Sequence, residues 1–292
     1  MKTKKLIVFL LLAYIPMMIV GLVIHNHAGG VDQTSATAGA IFTFLFSAGS
    51  MLIPLLAVIF TQLIFKEKVF SGCGLSLRFN RWWWIGWLLM PLMALATLGL
   101  SLLMPGEALA TESEVVKQAS AQMGGAGLWG FVALTTLSGL LAGATINAVF
   151  AFGEEVAWRG FLYKEFKGKK FLVASLIIGV IWGFWHFPLI LNGHNYPQHP
   201  VLGVFLMVLL CILLTPILMY FRKKSGTVIV PAVMHGTFNA VVGISNILVE
   251  PANDLLVGGP GLAGFIVLLL TNLCLMIYDR FGSKENIYLT DL

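Results

Sequence analysis

The chain has 292 residues, of which 58% are hydrophobic and 11% charged, with a formal net charge of +5. A soluble domain carries roughly 45–50% apolar and about 25% charged residues, so the composition excludes a soluble globular protein and indicates a membrane protein. The positive balance suits lipid headgroups and calls for no nucleic acid; Cys73, Cys211 and Cys274 are scattered without metal or disulfide spacing.

A membrane-crossing helix needs about 20 mostly apolar residues, and such runs predict an all-α polytopic protein of about eight transmembrane helices. They fall near 6–24, 38–65, 82–104, 128–153, 171–191, 201–221, 227–249 and 261–278. The first follows Met-Lys-Thr-Lys-Lys. It is longer than a signal-peptide apolar core, and no A-x-A-like cleavage site follows, so it reads as a retained anchor. Trp82, Trp83 and Trp84 open the third run as an interfacial aromatic belt. The loop 105–127 is polar and Gly-rich, with Glu107, Glu112 and Glu114 facing outward, and reads either as an amphipathic or as a mobile segment. The fourth run ends in "FGEEVAWRGF", the fifth in "WGFWHF" and then the turn-rich outer loop "NGHNYPQHP". A short inner loop, "RKKSG", separates the sixth from the seventh, which carries "MHGTFN".

Charge orients these runs. With the N-terminus inside, eight spans place every Lys and Arg except Lys117 on the cytoplasmic side, as the retention of basic loops requires. Both termini are then cytoplasmic. Compact loops and a Lys-rich inner face suit a bacterial plasma membrane. Without internal repeats or loops large enough for a second unit, residues 1–292 read as one transmembrane domain with a motif-bearing core at about 128–249.

Ionisable groups within a membrane are costly and default to a functional reading. Glu154, Glu155 and Arg159 stand at the end of the fourth run, His186 in the fifth, His235 and Asn239 in the seventh. Residues four apart share a helix face, so Glu155 pairs with Arg159. Glu154, about 100° round the helix, points elsewhere. His235 and Asn239 share a face by the same spacing, and Asn147 extends the polar face of Glu154. Each has a plainer reading: solvated carboxylates at a helix end, or packed histidines and an asparagine joining helices. His25, His27, His194 and His199 fall in outer loops and receive no role; Ser138 and Ser245 read as helix-packing residues. Depth is in tension, because His186 falls roughly 10 Å too deep from Lys170 for a straight helix. Gly179 and Gly183 permit a close helix approach there.

"EEVAWR" fits Glu-Glu-x-x-x-Arg, "WGFWH" is similar to Phe-x-x-x-His with Trp182 in place of the phenylalanine, and "HGTFN" fits His-x-x-x-Asn. In this order on separate helices the three resemble the CPBP family of intramembrane proteases, which includes CAAX prenyl endopeptidases and bacterial members linked to bacteriocin processing and self-immunity. The resemblance covers about 154–239. It implies a polar cavity within the bundle in which Glu154 and His186 activate water while His235 and Asn239 bind the oxyanion. Glu155 and Arg159 would fix the helix, and Trp182 would pack one turn from His186.

The implied function is an endopeptidase cutting a membrane-associated peptide or protein, with lipids and that substrate as partners and no cofactor. Zinc held by Glu154, His186 and His235 is the competing mechanism, a known catalytic arrangement, although H-E-x-x-H is missing. The competing functions are a non-proteolytic immunity factor or scaffold and a proton-coupled transporter using the same polar cluster. The cavity is expected to open toward the cytoplasm.

Overall fold

The computed structural model describes residues 3–28, 46–111, 113–122 and 127–292. Lys2, Glu112 and the start of the second apolar run, 38–45, lie outside the described residues. The protein is a helical bundle in chain order: α1 (Thr3–Ala28), α2 (Ile53–Ile64), α3 (Arg81–Ser101), α4 (Glu114–Gln122), α5 (Gly127–Ala144), α6 (Ile146–Glu155), α7 (Phe171–Trp185), α8 (Phe187–Ile190), α9 (Pro200–Ser225), α10 (Ile229–Val241), α11 (Ile244–Leu248) and α12 (Leu262–Ile277). A π-helical segment, Val156–Leu162, continues α6. Six helices among the described residues are long and apolar enough to cross a membrane: Thr3–Asn26, Phe46–Ile64, Arg81–Ser101, Gly127–Ala144, Pro200–Ser225 and Leu262–Ser283.

The fifth and seventh apolar runs behave differently, and both carry motif residues. α7 has 15 residues and α10 has 13, spans of ~22 and ~20 Å at 1.5 Å per residue, against a hydrocarbon core of about 30 Å. Pro188 limits the first, since its ring cannot donate into a helical ladder, and the chain turns at His186 into the four-residue α8. The fourth run is also interrupted, at Thr145 (φ −118°, ψ −98°). There the Thr145 hydroxyl donates back to the Leu141 carbonyl at 2.7 Å, a bond that competes with regular helix.

Local chemistry explains other boundaries. The Asn80 side chain accepts from Trp82 N at 3.0 Å and caps α3. α9 ends with Arg222, Lys223 and Lys224 in its last turn and Gly226 at φ 75° beyond it, a combination that complements the carbonyl end of the helix dipole. Of the tryptophan triplet, Trp84 is exposed, whereas Trp82 turns inward onto Tyr220 and Phe221, 5.9 Å from each ring. The belt reading therefore covers only part of the triplet.

Glycines let the central helices touch. A Cβ on Gly183 would lie 2.5 Å from Val208 Cα, and one on Gly179 2.8 Å from Ile212 Cα, so α7 lies directly on the α9 backbone. A Cβ on Gly236 would lie 2.6 Å from both Ala148 N and Gly143 O, which seats α10 in the break between α5 and α6. Packed around these contacts are the largest buried side chains, among them Trp158, Trp182, Trp185, Arg159 and Tyr220.

The loops gather at the two ends of the bundle. At one end Lys5 Nζ bonds Glu67 at 2.7 Å and Glu165 at 2.5 Å, Lys170 meets Asp291 at 3.2 Å, and Lys223 Nζ donates to the Asp291 carbonyl at 3.0 Å. At the other end Ala108–Leu109 pairs antiparallel with Val249–Glu250. The Glu107 carboxylate accepts from Ala252 N and Asn253 N at 2.9 and 3.0 Å, and is turned to the backbone of that loop. Glu114 remains exposed on α4, and the helix α4 decides the open reading of the 105–127 loop over residues 114–122.

Candidate active site

Glu154 and Glu155 end α6, and the chain then widens into the π segment. Such widenings recur at functional sites because they re-aim side chains without ending the helix. Both carboxylates are buried, and each has its own donors. Glu155 Oε1 accepts from Arg159 Nη1 at 2.9 Å and from His235 Nδ1 at 2.9 Å. Glu154 Oε2 accepts from the indole N–H of Trp158 at 3.1 Å and of Trp182 at 2.5 Å. Among the described residues no hydrogen bond reaches Glu154 Oε1, and the buried Glu155 Oε2 has no partner.

Arg159 is held from several sides, although its buried Nε has no hydrogen-bond partner among the described residues. Its Nη2 donates to Thr215 Oγ1 at 3.0 Å, its guanidinium lies 4.2 Å over the Trp182 ring, and its backbone carbonyl accepts from Arg222 Nε at 3.2 Å. Arg222 in turn reaches the Cys73 carbonyl at 3.5 Å, linking the site to the loop after α2.

His186 follows α7, and its Nδ1 lies 2.8 Å from the Trp182 carbonyl. A carbonyl only accepts, so Nδ1 carries the proton and Nε2 presents a lone pair in the neutral ring. His235 Nδ1 donates to Glu155 by the same logic, leaving Nε2 as the outward atom. Trp182 stands between them, with its ring 5.8 Å from His186 and 5.2 Å from His235. Glu154, Arg159, His186 and His235 thus surround one indole.

Trp182 also relieves the depth tension. It lies 11 residues from Phe171, and Glu154 lies 11 residues from Glu165, each ~16 Å along its helix. Trp182, one turn short of His186, is therefore the α7 residue level with Glu154. His235 lies ~9 Å beyond Ile229, and that helix starts from Thr227 and Val228, both fully buried.

Asn239 is exposed one turn beyond the buried His235, without a hydrogen bond among the described residues. Asn147 does not extend a Glu154 face; its amide donates to the Gly236 carbonyl at 3.3 Å and fastens α6 to α10. Among the described residues no three His, Cys, Asp or Glu side chains gather closely enough to hold a metal ion.

Sequence reasoning missed Trp158, Thr215 and Arg222. Trp158 was accessible, since it stands four residues after Glu154, the same spacing that joins Glu155 to Arg159. Thr215 and Arg222 come from α9, far along the chain, with no local signal.

Residues 136–241, which contain all three motifs, match the family described as Type II CAAX prenyl endopeptidase Rce1-like. A 44-residue stretch is 39% identical to a protein named CAAX prenyl protease 2 from Methanococcus maripaludis. That alignment takes in 15% of this chain and 16% of the length of the archaeal relative. Through its motif-bearing core, residues 136–241, the chain is similar to the Rce1-like CAAX prenyl endopeptidases.

Proposed function

We propose that the chain is an intramembrane endopeptidase that hydrolyses a peptide bond of a membrane-associated peptide or protein with a water activated by Glu154 and His186. The division between the carboxylates carries this reading: Glu155 is committed to Arg159 and His235, while Glu154 is anchored through Oε2 alone. Glu154 Oε1 takes a proton from water as the oxygen attacks the scissile carbonyl. His186 Nε2, with Nδ1 tied to the Trp182 carbonyl, accepts a hydrogen bond from the same water. The oxyanion is received by His235 Nε2 and the Asn239 amide; donation from Nε2 uses the imidazolium, in which both ring nitrogens carry protons. Glu154 then passes its proton to the leaving amine, restoring the carboxylate.

The mechanism uses no metal. Undiminished cleavage after exhaustive chelation is expected, and activity lost to a chelator but restored by zinc would overturn it. Substrates of the class in the archaeal relative's name, CAAX prenyl, are one form of the peptide proposed here; the resemblance also admits other lipidated or leader peptides. Neither the immunity or scaffold reading nor the transporter reading gains a specific observation.

The test compares membrane peptides released in cells carrying the wild-type chain or Glu154→Gln. Loss of one positioned acid-base group is expected to cost about 10²–10⁴-fold in rate. A product that persists at the wild-type level while the variant remains folded in the membrane would sink the reading.

A further inference from the structure

We propose that Trp182 is a positioning residue for Glu154: its indole N–H, with that of Trp158, fixes one carboxylate oxygen so that the other alone meets the water. The inference rests on Glu154 as the water-activating group and concerns a position where the resembling motif carries phenylalanine. Phenylalanine would keep an aromatic ring beneath Arg159 and against both histidines, but it has no N–H. The bond Trp182 Nε1–H to Glu154 Oε2, at 2.5 Å, is therefore a property of this chain's tryptophan and not of the aromatic position in general.

A carboxylate on a helix rotates about its side-chain torsions unless both ends are restrained. Here Oε2 is gripped from two directions, by Trp158 on its own helical segment and by Trp182 on α7. Both donors are buried, with Trp158 at 0% and Trp182 at 2% exposure, so water does not compete for them. Trp182 is itself immobilised, with Arg159 over its ring at 4.2 Å and His235 at its edge at 5.2 Å. The grip requires α7 and the segment after α6 to keep their spacing, so it also registers the helix bearing His186 against the one bearing Glu154. A charged acceptor makes such bonds stronger than neutral ones, which suits a carboxylate that must remain an ionised base.

Two measurements on the full chain in detergent micelles separate this role from simple packing. With ¹⁵N-tryptophan labelling, the indole N–H resonances of Trp158 and Trp182 are expected to shift upfield in Glu154→Gln, because a neutral amide is the weaker acceptor. A Trp182 resonance that does not move would overturn the bond whether or not the chain proves to be a peptidase. In steady-state cleavage, Trp182→Phe is expected to lower kcat about 10- to 100-fold, as for loss of one charge-assisted hydrogen bond, with KM changed less than about two-fold. Trp158→Phe carries the same expectation and serves if Trp182→Phe does not accumulate. Wild-type kcat in Trp182→Phe beside an inactive Glu154→Gln would sink the positioning role and leave the reading of the site intact. Wild-type kcat in Glu154→Gln would instead remove that reading, and the positioning role with it.

Discussion

At the scale of single residues, adjacent glutamates in one helix acquire different surroundings through their donors. Glu155 stands in a buried ion pair whose other contacts, from His235 to Thr215, are hydrogen bonds. Removing one member of such a pair strands the other charge without solvent, at a cost of about 3–5 kcal/mol. Glu155→Gln and Arg159→Ala are each expected to lower the unfolding midpoint strongly, whereas Glu154→Gln, whose loss leaves two indole donors and no stranded charge, lowers it much less. Thermal unfolding in detergent checks the contrast, and equal midpoints for all three variants would contradict it. In the proposed mechanism the exposed Asn239 has a kinetic signature instead: Asn239→Ala is expected to reduce the rate about 10²–10³-fold, the usual cost of an oxyanion donor, with unchanged unfolding.

At the scale of elements, short helices position the site. α7 and α10, of 15 and 13 residues, place His186 just past a helix end and His235 at the middle of a helix seated against the break between α5 and α6. Close approach makes this possible. A side chain at Gly183 or Gly236 meets backbone at 2.5–2.6 Å, which cannot move aside cheaply, whereas Gly99 on α3 has open space around its would-be Cβ. Gly183→Leu and Gly236→Leu are therefore expected to abolish cleavage and lower the yield of folded protein, and Gly99→Leu to leave both near wild type. A tolerated leucine at Gly236 would show that α10 does not need its contact with α6. The π segment acts at this scale too, since it keeps Trp158 beside Glu154 and Arg159 beside Glu155 while the chain runs on toward Glu165.

At the scale of the whole molecule, the loops expected on one membrane face do collect at one end of the bundle. Lys5, Glu67, Lys164 and Glu165 form a single ionic cluster joining α1, the loop after α2 and the chain after the π segment. The hydrogen bond from Lys5 holds the Glu67 carboxyl below its ordinary range. A carboxyl with a depressed folded-state pKa contributes stability above its unfolded value, and that contribution disappears as pH falls through the folded value. Acidification below about pH 4.5 is expected to loosen this end first, and Glu67→Gln to remove that part of the acid sensitivity, as read by amide exchange in the loop after α2. We further propose that this basic end is cytoplasmic and that the cavity opens toward it. Cysteines introduced at 154, 186 and 235 should then be modified from the cytoplasmic side, and modification from the opposite side alone would reverse the orientation.

The helical membrane class, the sorting of basic loops to one end and the Glu155–Arg159 pair are legible in the amino-acid order alone. Hydropathy, charge and the four-residue repeat of a helix are local quantities, readable without knowing what packs where. The tertiary structure decided that His235 shares Glu155 with Arg159, that Trp158 and Trp182 hold Glu154, and that the fifth and seventh runs are short. His235 is 80 residues from Glu155, and Trp182 is 28 from Glu154. No periodicity couples positions so distant; glycine-to-backbone contacts between helices bring them together, and those depend on the whole bundle having closed.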